Sequence, residues 1–310
     1  MPSYLEALTL RLAQGAGTLA ESVRTTHAEY FLAAQQADGG FAGRDGPSDL
    51  YYSGFALRGL ALLGELDGEP ARRACAYLQS RLAGQLPIID FVSLVFGASL
   101  VQLAAGLDPF AGRPDSWREA AGELLEGFRR PDGGYAKTPE GQASSMYHTF
   151  LVLLCRQLLG LEPVDTARLV EFVHAMQRED GGFVEISPMR RGGTNPTAAA
   201  IGILKLIGRL DAEIAEATVG FLAEMQSDEG GLLANTRVPI ADLLSTFTGL
   251  LTLADLGAAD AIDAAAARRY AESLARPDGG FHAAAWDGGH DVEYSFYGLG
   301  TLVLAASDGT

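Results

Sequence analysis

Three aspartates in this 310-residue chain share one local setting. Asp49, Asp242 and Asp291 each stand four residues before a Ser or Thr (Ser53, Thr246, Ser295) that opens an apolar segment. An acid in that place can cap the helix that follows, worth about 1 kcal/mol. It can also present a carboxylate to whatever that helix lines. Glu293 adds an acid two residues after Asp291. Tyr52 and Tyr294 stand one residue before their anchors, as His148 does before Thr149. Carboxylates gathered in an apolar cavity share a proton at raised pKa or bind a hard cation such as Mg²⁺. Asp49, Asp242, Asp291, Glu293, Tyr52, Tyr294 and His148 are therefore the candidate catalytic groups, although His148 suits a hydrogen-bonded rim histidine equally well. His282, Asp287 and His290 lack the i, i+4 spacing of a helical metal pair. Arg190, Arg191 and Arg237 are the cations placed to meet an anion. As loop residues they are also explained by exposure alone.

What must position these groups is a repeat. QADGGF, RPDGGY, REDGGF, SDEGGL and RPDGGF place their first glycines at 39, 133, 181, 230 and 279. The intervals of 94, 48, 49 and 49 residues imply six units of about 48, one motif having decayed near residue 86. Each unit starts with an amphipathic helix such as Val164 to Gln177, apolar at Ala167, Val170, Phe172, Val173 and Met176. Asp-Gly-Gly then supplies the left-handed turn. A polar loop and a more uniformly apolar helix follow, as in GFALRGLALLG or AAAIGILKLIG. Alternation of the two kinds predicts two concentric shells, apolar helices inside. The inner helices are anchored at Ser53, Ser93, Thr149, Thr197, Thr246 and Ser295, with Asp49, Ile89, Ser145, Gly193, Asp242 and Asp291 four residues earlier. Closure of the ring would bring Asp291 and Glu293 toward Asp49 and Tyr52. The expected fold is all-α, a single α/α toroid over residues 1–310 of about six helix pairs, with the repeats over roughly 36–305 and one extra N-terminal helix.

The QxxDGGF motif followed by a loop and an apolar helix resembles the repeat of the protein prenyltransferase β-subunits and the squalene and terpenoid cyclases. The resemblance implies a toroid with a central apolar cavity that handles an isoprenoid diphosphate. It also implies a helical α-subunit-like partner, and a zinc held by an Asp, a Cys and a His. Asp242 matches the first ligand, but Leu244 and Tyr294 stand at the other two, so family-type zinc is not expected. The cyclases' DxDD acid is absent, Asp291-Val-Glu293 being the nearest substitute. The family's diphosphate cations correspond to the loops holding Arg190, Arg191 and Arg237. Two alternatives stand beside a prenyltransferase-like transferase: a non-catalytic isoprenoid- or lipid-binding or partner-docking toroid, and a cyclase-like enzyme using an Asp or Glu acid.

Composition narrows the field from the other side. A formal charge of −16 disfavours nucleic acid and anionic membranes as partners. Cys75 and Cys155 lie in apolar segments and form no CxxC, which is how small core residues read. The first residues lack the basic start of a secretory signal, and no 18-residue apolar span is evident, so a cytoplasmic setting is expected.

Overall fold

The computed structural model describes residues 2–82, 86–114 and 116–306. After α1 (Tyr4–Ala16), outer and inner helices alternate. The outer set is α2 (Glu21–Ala34), α4 (Gly68–Ser80), α6 (Trp117–Glu126), α8 (Thr166–Ala175), α10 (Ala212–Glu224) and α12 (Ala264–Leu274). The inner set is α3 (Leu50–Leu63), α5 (Ile88–Ala105), α7 (Met146–Leu158), α9 (Thr194–Leu206), α11 (Leu243–Asp255) and α13 (Val292–Leu304). Each inner helix packs on the next, and α13 packs on α3, which closes the ring. The only strands among the described residues are two-residue ribbons at loop necks: β1 (Tyr135–Ala136) with β2 (Ser144–Ser145), and β3 (Phe281–His282) with β4 (His290–Asp291).

Burial follows the two patterns. In α13 every residue but Tyr294 is buried, whereas α8 buries only Leu169, Phe172 and Val173. Ala167, expected on the inward face, is exposed, because that face is set by Leu169 and continues through Met176. Helix α8 also begins later than the apolar pattern, since the Asp165 side chain accepts from the Arg168 N–H and caps it.

The anchor hydroxyls have a mechanical role. Ser53, Thr149, Thr197, Thr246 and Ser295 accept the backbone N–H of Phe41, Tyr135, Phe183, Leu232 and Phe281, at 2.8–3.2 Å. Each inner helix is thereby tied to its own Gly-Gly turn. The second unit departs from this frame. Helix α5 starts at Ile88 behind Pro87, so Ile89 lies within the helix and not at its cap. Part of the decayed motif, residues 83–85, lies outside the described residues.

Closure relies on contacts between chain regions some 250 residues apart. Gly279 has φ +89°, and a Cβ there would stand 2.6 Å from the Thr26 carbonyl oxygen of α2. The Gly280 N–H donates to His27 Nδ1 at 3.0 Å, and the His27 ring stacks on Phe281 at 4.6 Å between centroids. Burial pushes the His27 imidazole down to about 4, which keeps it neutral and able to accept that bond.

The extra helix α1 lies across the C-terminal ends of the inner helices, against α3, α7 and α13. Asp255, the last residue of α11, accepts from the Tyr4 hydroxyl at 2.9 Å and pairs with Arg11 at 3.0 Å and Lys205 at 3.4 Å. Both cysteines are buried and free. One expectation needs correction. Helix α5 is long and apolar enough to cross a membrane by length and composition, because the run tolerates Asp90 and two serines. Just over half of it is buried inside the ring as an inner-shell helix.

The central cavity as candidate functional site

The inner helices enclose a cavity of about 510 Å³. Its floor is α1, through Tyr4, Leu5, Leu8, Thr9 and Leu12; its upper wall comes from the first turns of the inner helices, including Tyr51, Tyr147, Leu244 and Glu293. The mouth therefore opens at the N-terminal rim, where the helix dipoles point inward with their positive ends. Between floor and mouth lies a belt of rings, among them Phe55, Phe96, Phe247, Phe296 and Tyr297. Phe247 and Phe296 stand 5.4 Å apart edge to face, as do Phe55 and Tyr297 at 5.2 Å.

The rim aspartates serve the helices first. Asp49, Asp242 and Asp291 are the N-caps of α3, α11 and α13, accepting from the backbone N–H of Tyr52, Ser245 and Tyr294. Ser145 caps α7 in the same way, accepting from His148. The expected gathering of Asp291 and Glu293 with Asp49 and Tyr52 takes a different form. Arg44 reaches across the closure to Asp291 at 3.3 Å and forks onto Asp287 at 2.6 and 3.1 Å. A cation of the chain itself thus occupies the acidic seam. The partner of Glu293 is Tyr51 and not Tyr52: its hydroxyl donates to Oε1 at 2.6 Å.

Of the candidate catalytic groups only Glu293 lines the cavity. Burial pushes its carboxyl up to about 7; the Tyr51 bond opposes the shift and Asp291 reinforces it. Burial also raises Asp49 and Asp242, and pushes the Tyr294 hydroxyl up to about 12. His148 Nδ1 lies 2.8 Å from Ser145 Oγ, which donates to Glu185, while its buried Nε2 has no hydrogen-bond partner. Arg190 and Arg191 are exposed and border a separate depression with Glu179, Asp180 and Glu224; Arg191 donates to Thr236 at 3.1 Å. Arg237 is exposed on the next loop.

Sequence reasoning missed three residues. Arg58 lines the cavity from the middle of α3, Tyr51 holds Glu293, and Glu185 lines the mouth. The available signal for Arg58 was one cation inside an otherwise apolar inner-helix segment.

The family's zinc does not fit these residues. Both Asp242 oxygens are engaged by Ser245, through its N–H at 2.7 Å and its hydroxyl at 2.9 Å. Leu244 and Tyr294 supply no ligand of the family type, and among the described residues no three His, Cys, Asp or Glu gather around a metal-sized space. Protein equilibrated with zinc and desalted should retain far less than one equivalent by elemental analysis. A full equivalent that disappears in Asp242→Asn would refute this.

The sequence profile of the prenyltransferase alpha-alpha toroid domain matches residues 20–95, 90–239 and 198–308, and the chain belongs to that family. Among solved structures it is similar to Candida albicans protein geranylgeranyltransferase-I complexed with GGPP, at 16% identity and TM-score 0.74 over 91% of both chains. It is similar also to a variant of the type II terpene cyclase MstE from Scytonema in complex with geranylgeranyl dihydroxybenzoate. That match has 15% identity and TM-score 0.63, over 97% of this chain and 99% of that one. An α-1,6-mannanase from Salegentibacter sp. HEL1_6, in complex with α-1,6-mannotetrose, matches at 12% identity and TM-score 0.63, over 95% and 98%. At these identities the likeness is one of fold, and the mannanase shows how different the ligands of one fold can be. No curated protein matches the sequence.

Proposed function

We propose that this chain is a prenyltransferase-like protein that holds the hydrocarbon part of an isoprenoid diphosphate, or of a related anionic isoprenoid, in its central cavity. The observation that carries this reading is the cavity itself: apolar, ring-lined and closed at one end by a helix outside the repeats. Apolar surface removed from water there contributes about 25 cal/mol per Å². The structural relatives crystallised with geranylgeranyl compounds support the reading. Arg190, Arg191 and Arg237 lie on loops leading into α9 and α11, so they act by drawing an anion toward the mouth of an acidic protein.

Ala198 lines the cavity from α9. Ala198→Phe should abolish binding of geranylgeraniol and geranylgeranyl diphosphate in calorimetry while leaving the melting temperature within a few degrees. Arg190→Ala with Arg191→Ala should slow association of the diphosphate at low salt and leave the alcohol unchanged. If the unmodified protein binds neither ligand, the reading fails, and a partner-docking toroid takes its place.

A second reading, acid-initiated cyclisation, is favoured by one observation. Glu293 stays substantially protonated near neutral pH at the mouth of a ring-lined cavity. Cysteine prenylation of the zinc-dependent kind has no such support, because its ligands are missing. A helical α-subunit-like partner belongs to the proposal through the family resemblance alone, and a cytoplasmic setting is kept as part of the proposal.

A further inference from the structure

Arg58 is the cation that lines the cavity from within. Its guanidinium carbon lies 4.5 Å from the Phe55 ring centroid, 4.6 Å from Phe96 and 5.9 Å from Phe296. Three ring faces thus hold a cation already. Its Nε is buried without a hydrogen-bond partner, and none of the ion pairs among the described residues includes it. Burial pushes the guanidinium below its ordinary value, and Glu293 is the acid that opposes the shift. Such a group stays protonated. Ring faces offset part of the loss of water, but an enclosed charge without a counter-ion remains unfavourable.

The cavity wall carries two acids and one cation. Glu293 stands at the mouth in the first turn of α13, and Glu185 lies on a loop beside the first turn of α7, accepting from the Tyr147 N–H and the Ser145 hydroxyl. The Arg58 backbone lies eight residues beyond the start of α3, about 12 Å along the helix at 1.5 Å per residue, and its guanidinium sits in the belt of rings, over Phe55, Phe96 and Phe296. An anion at the mouth meets the two acids, whereas one among the rings meets an unpaired guanidinium that can grip it with two parallel N–H bonds. A cationic guest meets the reverse, since the faces of Phe55, Phe96 and Phe296 are occupied.

We propose that Arg58 anchors the anionic end of the ligand, an isoprenoid ending in a carboxylate or phosphate, within the ring-lined cavity. This rests on the reading of the cavity as an isoprenoid site and adds the ligand's charge and its anchor.

The test compares geranylgeranyl phosphate, geranylgeranoic acid and geranylgeraniol by calorimetry on the full chain. In Arg58→Met both anions should lose about 10- to 100-fold in affinity, with the alcohol unchanged. Loss for the phosphate alone would assign the anchor to phosphates; loss for the acid alone would assign it to carboxylates. Arg58→Lys keeps the charge without the fork and should fall between, which preserves the test if the Met variant does not fold. Equal loss for all three ligands would reduce Arg58 to packing and overturn the proposal. So would a phosphate lost on replacing Arg190 and Arg191 but retained in Arg58→Met. If no isoprenoid binds, dodecyl phosphate and dodecanol separate the two ideas. Arg58-dependent binding of the phosphate alone would keep the anchor and discard the isoprenoid, and binding of neither would overturn both.

Discussion

At pH 8 the Glu293→Gln protein should be more stable than the unmodified chain by about 3 kcal/mol, and at pH 4 the two should be nearly equal. The Glu293 carboxyl is buried, and desolvation holds its pKa near 7 against 4.5 in the unfolded chain. The folded state therefore keeps a proton that the unfolded state releases. Stability from this group is complete below pH 4.5 and is lost as pH rises through 7, where folding must bury a charge. Glutamine is neutral throughout and still offers an oxygen to the Tyr51 hydroxyl, so it removes the penalty without removing the bond. For a chain of this length the difference at pH 8 corresponds to a melting shift of about 4 °C. Denaturant titrations at the two pH values measure it directly. A shift of equal size at both would mean that Glu293 titrates like an exposed carboxylate, and the acid proposed for the mouth would lose its basis.

The second large effect concerns the seam of the ring. Gly279→Ala forces a side chain into a left-handed conformation and sets its Cβ 2.6 Å from the carbonyl oxygen of Thr26. The conformation alone costs roughly 1–2 kcal/mol, and the opposing atom belongs to the α2 backbone, which cannot rotate aside. A loss of about 3 kcal/mol or more is expected from the two together. Gly288 is the control: it lies in the same loop region, and a Cβ there meets nothing within 4 Å. Its alanine variant should stay within about 0.5 kcal/mol of the parent. Comparable losses in both variants would show that the loop, and not its contact with α2, sets the stability.

The ring was legible because its determinants are local and repeated. Asp-Gly-Gly fixes a turn, a Ser or Thr twelve or fourteen residues after the residue that follows the second glycine ties that turn to the next helix, and an Asp caps the helix where present. Asp49, Asp242 and Asp291 were legible for the same reason, as caps. The cavity groups were not, because which face of an inner helix points inward depends on how six helices pack. Arg58 lies five residues past its anchor in a segment that reads as uniformly apolar, and nothing local separates it from a surface arginine. Tyr51 and Tyr52 are adjacent, and only the geometry decides that the first meets Glu293. Arg44 is a loop residue whose partners, Asp287 and Asp291, lie more than 240 positions away. Helix α1 showed its apolar stripe at Leu5, Leu8 and Leu12, but its docking across the ring could not be read from the stripe.

That docking separates two properties usually bound together in a toroid. Walls and seam are built by the repeats, whose stability depends on every neighbour. Depth is set by a helix that belongs to no repeat and touches the cavity through a few side chains, Leu8 and Leu12 among them. Length selection among ligands can therefore drift by substitution on α1 while the ring keeps its sequence, much as a piston is refitted in an unchanged cylinder.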